Sequence, residues 1–131
     1  MPLGDPGGGM FEYTKEGLPE NLTAVTVNVS EMKRSVAFYR NILKMEIVSE
    51  TDSESMLSME SFFIILKKSQ IVGSDTGIYI GVYDPFEFHR RMVDEGVVFV
   101  RHPQRGPIGV YASFRDPDAN VLHAVEKKRK K

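Results

Sequence analysis

The 131-residue chain has no cysteine and no tryptophan, a formal net charge of only −1, and no apolar run long enough to cross a membrane. Without thiols there are no disulfides, no thiolate catalysis and no cysteine-based zinc site, and a cytoplasmic setting is expected. The near-zero charge excludes bulk attraction to nucleic acid or to an anionic membrane, so neither is expected as a partner. The N-terminus, MPLGDPGGGMFEY, lacks the basic-then-apolar pattern of a secretory leader. Phosphate-cradling glycine loops, nucleophile elbows and paired-carboxylate arrangements are also missing. What remains is a composition of 41% hydrophobic and 27% charged residues, ordinary for one globular domain.

The expected layout is a flexible Gly/Pro-rich tail (1–21), one domain (22–126) and a basic tail (127–131) read as solvated charge. Leu22 to Ser30 alternates, with Val25, Val27 and Val29 on one face and Ala24, Thr26 and Asn28 on the other, which predicts a half-buried strand. Ser30 is the expected cap of an amphipathic helix over Met32 to Ile42. Lys44 to Glu50, Ser55 to Met59 and Phe62 to Lys67 read as three strands, the second exposed and the third central. Ser69 to Thr76 reads as a connection.

The pattern then restarts. Gly77 to Tyr83 alternates with Ile78, Ile80 and Val82 on one face, and Asp84-Pro85 opens a helix over Phe86 to Glu95 that stops at Gly96. Strands follow at Val97 to Arg101 and Val110 to Phe114, separated by a turn-rich loop from Gln104 to Gly109. The turn Asp116-Pro117-Asp118-Ala119-Asn120 leads into the last strand, Val121 to Val125. Laying Val25-Val27-Val29 on Ile78-Ile80-Val82 also superposes the two helices and the strands behind them. The order strand, helix, three strands is written twice, in modules 22–70 and 77–126. The expected fold is α+β: two βαβββ modules forming a curved, cleft-enclosing mixed sheet.

Two segments carry a resemblance: Val25-x-Val27-x-Val29-Ser30-x-Met32-x-Arg34-Ser35-x-x-Phe38-Tyr39, and Phe114-Arg115-Asp116-Pro117-Asp118-x-Asn120-Val121-Leu122. With the repeat between them, the chain resembles the vicinal oxygen chelate superfamily of glyoxalases, bleomycin-resistance proteins and extradiol dioxygenases. The resemblance implies a homodimer. It also implies four metal-ligand positions, which fall here on Ala24, Ile65, Gly77 and His123. Three of these side chains cannot ligate, so no metal or other cofactor is expected, a divalent ion being the alternative. Ala119 stands where the family has glycine; a positive φ there would cost alanine about 1 kcal/mol.

The predicted cleft face carries Thr26, Asn28, Phe63, Ile65, Tyr79, Val121, His123 and Val125, an apolar wall with a few hydrogen-bonding groups. Expected ligand contacts are Asn28, Phe63, Tyr79, Arg101, Tyr111 and His123, with His123 also the candidate catalytic acid–base group. Otherwise His123 is a neutral ring satisfied by Tyr79, Asn28 or water. Arg101, His102 and Arg105 could hold a carboxylate or phosphate, or form a solvated loop, while His89 reads as surface charge. Three functions stay open. The first is a small molecule sequestered by a glyoxalase-like protein without the usual metal. The second is a divergent lyase, isomerase or dioxygenase-type enzyme built on His123. The third is a structural dimer whose cleft has collapsed around Phe63 and Tyr79.

Overall fold

Alternation in the sequence becomes two layers, each a sheet with one face under a helix. The computed structural model describes residues 15–127; the expected tail positions 1–14 and 128–131 lie outside them. After a single 3-10 turn at Lys15–Gly17, the first module runs β1 (Ala24–Val29), α1 (Met32–Ala37), β2 (Glu46–Glu50), β3 (Glu54–Met59) and β4 (Phe62–Lys68). The second runs β5 (Asp75–Val82), α2 (Pro85–Asp94), β6 (Phe99–Gly106), β7 (Gly109–Arg115) and β8 (Val121–Glu126). The sheets are ordered β1-β4-β3-β2 and β5-β8-β7-β6, each with its first and last strands parallel and the rest antiparallel. This is the α+β architecture of paired βαβββ modules that the repeat predicts. Among the described residues no helix is long and apolar enough to cross a membrane.

The valine face of β1 goes inward as the pattern requires: Val27 and Val29 are buried against Met32, Val36, Phe38 and Tyr39. α1 gives way to one π-helical turn, Phe38–Ile42, in which the Leu43 amide reaches back to the Phe38 carbonyl at 3.3 Å. That wider turn keeps both adjacent rings, Phe38 and Tyr39, buried and edge-on to each other. In the second module Met92, Val97, Phe114, Leu122 and Ala124 complete a core continuous with the first. The opposite faces do not close on one another: Ala24, Thr26, Asn28, Gly77, Tyr79 and Gly81 are all exposed.

Three expectations are corrected. β3 is an inner strand with Ser55 and Leu57 buried, and β2, exposed throughout, is the edge. β6 continues to Gly106 and β7 starts at Gly109, so most of the expected loop from Gln104 is hairpin strand. The α1 cap is Glu31, whose carboxylate accepts the Arg34 amide at 2.8 Å. Ser30 is free of that task because it bonds across the modules to Asp118, through its amide at 3.0 Å and through its hydroxyl.

That contact belongs to a buried network in the β7–β8 turn. Asp116 accepts the Asp118 and Asn120 amides through Oδ1, and the Tyr39 hydroxyl (2.7 Å) and Asn120 Nδ2 (2.9 Å) through Oδ2. The second hydrogen of Asn120 Nδ2 goes to the Asn28 carbonyl at 2.9 Å, and Oδ1 accepts the Gly73 and Ser74 amides. Both donors and both acceptor sites of this side chain are therefore used. Asp118 takes Ser30, Ser35 and Arg34. Burial and the neighbouring Asp116 carboxylate hold the Tyr39 phenol well above its ordinary value, so it remains a donor. Burial alone would raise Asp118, but the Ser30 bonds, the Arg34 charge and Ser35 outweigh it and hold its carboxyl low.

Ala119 has φ 65°, so the turn takes the left-handed conformation without glycine. Ala119→Gly is expected to raise stability by roughly 0.5–1 kcal/mol, strain relief outweighing the looser unfolded chain, as read by urea denaturation. Because folded Asp118 binds its proton less tightly than the unfolded residue, whose pKa is about 3.9, its contribution is complete above about pH 4. It is lost as pH falls through the lower folded value. Asp118→Asn is expected to flatten this acid limb in unfolding curves recorded from neutral to acid pH.

Candidate functional site on the open face of the second sheet

Strand register aligns the site. Tyr79 on β5 lies opposite His123 on β8, His123 opposite Ser113 on β7, and Ser113 opposite Arg101 on β6. One row of side chains thus crosses the whole sheet on the face away from α2. Tyr79 stacks on His123 with centroids 4.3 Å apart and planes 15° from parallel. Tyr111 meets both rings edge-on, at 5.9 Å from Tyr79 and 6.0 Å from His123. The Arg101 guanidinium covers the Tyr111 ring at 4.0 Å. Gly106 makes room for this arrangement: a Cβ there would fall 2.4 Å from Tyr111 Cε1.

His123 is only 6% exposed and both ring nitrogens are engaged. Nε2 lies 2.9 Å from Asp75 Oδ1 and Nδ1 lies 2.7 Å from Ser113 Oγ. The bonds from His123 and the Gly77 amide hold the Asp75 carboxyl below its ordinary range, so it is an acceptor at neutral pH. Nε2–H must then donate to Asp75, while Nδ1 shares a hydrogen with the Ser113 hydroxyl. The composition is that of a hydrolytic triad, but Ser113 is only 4% exposed, which keeps its hydroxyl from a substrate. The arrangement fixes the imidazole plane as a platform for Tyr79. At 6% exposure the ring itself is largely out of a substrate's reach.

Neither polar partner of His123 was among those expected. Asp75 arrives through a bulge: between Asp75 and Tyr79 the β5–β8 register shifts, Gly77 adopts φ 72°, and its amide donates to Asp75 Oδ1 at 3.0 Å. The signal was Asp-x-Gly at the head of an alternating run, an Asx turn before a bulge. Ser113 carried no signal beyond its place opposite His123.

Four of the six expected ligand contacts, Tyr79, Arg101, Tyr111 and His123, form this one group. Asn28 and Phe63 lie instead on the open face of the first sheet, Asn28 exposed and Phe63 half-buried opposite Ala24. His102 points the other way. Its Nδ1 lies 3.0 Å from Nε2 of His89 on α2, so it does not line this face. His89 is no simple surface charge: it packs edge-on to Phe99 at 4.5 Å, and burial followed by His102 lowers its pKa. Arg105 is exposed, and its carbonyl accepts Arg101 Nη2 at 3.4 Å.

The donors do not fit the superfamily's metal centre. Ala24 and Ile65 offer none, Gly77 offers no side chain, and Asp75 and His123 are bonded to each other. No cluster of three or more His, Cys, Asp or Glu side chains suited to a metal occurs among the described residues. A separate shallow groove of about 360 Å³ lies on the helix side, between Phe38, Val97 and Pro117.

Paired βαβββ modules define a glyoxalase-like fold. Residues 21–75 match the family model described as Glyoxalase/Bleomycin resistance protein/Dioxygenase superfamily. A superfamily member from Sphaerobacter thermophilus is 24% identical with a TM-score of 0.74, covering 83% of this chain and 98% of its own. Lactoylglutathione lyase from Agrobacterium tumefaciens is 18% identical with a TM-score of 0.70, covering 82% and 94%. The bleomycin-binding protein of Streptomyces verticillus, solved with copper(II)-bleomycin, is 13% identical with a TM-score of 0.68, covering 85% and 99%. No curated protein matches the sequence. The resemblance read from the sequence is borne out: the first module matches the superfamily by sequence, and the whole domain has its fold.

Proposed function

We propose that this protein sequesters a small molecule on the open face of the second sheet, without a metal centre. The observation that carries the reading is Tyr79: a large aromatic ring, 47% exposed, braced on a buried and doubly hydrogen-bonded imidazole. A folded chain gains nothing by exposing such a ring on a rigid platform, whereas a planar ligand gains a stacking surface whose ordering cost is already met. The exposure of Tyr79 also argues against a cleft collapsed around it. The Asp75–His123–Ser113 set is what favours an enzyme instead, and the burial of Ser113, which keeps its hydroxyl from a substrate, weighs against that.

A homodimer is part of this reading. The first sheet's open face, with half-buried Phe63 and Ile65 beside exposed Thr26 and Asn28, has the polarity of a second cleft wall. The absence of cysteine supports a cytoplasmic site of action.

A thermal-shift screen of planar metabolites and antibiotics tests the proposal. Ligands that raise the melting temperature are expected to lose about tenfold in affinity in Tyr79→Ala, from the lost stack of about 1 kcal/mol or more. The variant itself is expected to melt close to the parent, because the ring is half exposed. Hits that bind Tyr79→Ala as tightly as the parent contradict the site.

A further inference from the structure

We infer that the ligand of this face is an aromatic anion, its ring on Tyr79 and its carboxylate or equivalent group at Arg101. The inference rests on the binding role proposed above and adds the ligand's charge and its direction. Arg101 is permanently cationic, yet no carboxylate forms an ion pair with it among the described residues. Its Nη2 donates only to the carbonyls of Gln104, at 3.2 Å, and Arg105, at 3.4 Å, which orient the group without neutralising it. Its Nε is buried, out of a ligand's reach, with no hydrogen-bond partner among the described residues. Carbonyls alone leave the charge of this half-buried guanidinium without a counter-ion, which an incoming anion would supply. The guanidinium is held against the Tyr111 ring at 4.0 Å, so it is presented in a fixed plane, the geometry that suits a planar oxyanion.

Charge elsewhere on the face sets the direction. Asp75, ionised at neutral pH, stands beside His123 at the β5–β8 end of the row, where it repels an anion. Glu126 turns to the other side of β8, where it accepts the Val110 amide at 3.1 Å. An aromatic cation would set its charge against Arg101, and a neutral ring would leave the Arg101 charge without a counter-ion. A ring stacked on Tyr79 with its anionic group toward β6 satisfies both.

Calorimetric titration with naphthoate, naphthamide and naphthylmethylammonium tests this. Naphthoate is expected to bind about tenfold or more tighter than naphthamide, with the ammonium weakest and the preference shrinking in high salt. Arg101→Gln is expected to abolish the preference for naphthoate over naphthamide, and Tyr79→Ala to weaken both. Melting temperatures within about 2 °C of the parent would confirm that the variants are folded. Equal binding of naphthoate and naphthamide, or an Arg101→Gln variant that binds naphthoate like the parent, overturns the anion inference and leaves the binding role standing. Failure of all three probes to bind at millimolar concentration contradicts both.

Discussion

The fold depends on a buried carboxylate–amide network in the turn between β7 and β8. Asp116, Asp118 and Asn120 project from one turn into three different partners: the Tyr39 phenol, the amide end of α1, and the Asn28 carbonyl with the Gly73–Ser74 linker. Each side chain is almost fully buried, and each of its bonds replaces a strong interaction with water. Removing one member strands its partners without solvent. The network therefore fixes the angle between the modules more strictly than an apolar contact of similar area would.

The two halves are not equivalent in this respect. The β3–β4 connection is the short Glu60-Ser61 turn, with Glu60 at φ 56°, and no comparable polar lattice springs from it. The second module also carries the side-chain cluster, while the first contributes a plainer face of Ala24, Thr26, Asn28 and Ile65. One copy of the repeat has thus specialised in both cross-module anchoring and presentation of the site. β8 serves both roles. Asn120 just before it locks the modules, and His123 within it supports Tyr79.

Most of the fold could be read from the chain because strand alternation and helical spacing are local, and their recurrence revealed the two modules. The face shared by Tyr79 and His123 followed from period-two alternation once the strands were placed, whereas the side on which Tyr111 faces was left open. What escaped was set by register and long-range pairing. Asp75 looked like linker because the bulge at Gly77 breaks the alternation that would have drawn it into β5. Ser30 looked like a helix cap because its partner Asp118 lies far along the chain. His102 looked like a companion of Arg101, but adjacent strand residues point to opposite faces, and β6 proved to be strand through that stretch.

The open face of the second sheet is a site only if ligands choose it over the groove between Phe38, Val97 and Pro117. Chemical-shift mapping of the isotope-labelled protein with naphthoate distinguishes them in one titration. The account predicts saturable shifts at Tyr79, Arg101, Tyr111 and His123, with little change at Phe38, Val97 or Ala119. Shifts confined to the groove, with the Tyr79 and Tyr111 signals unmoved, would contradict it.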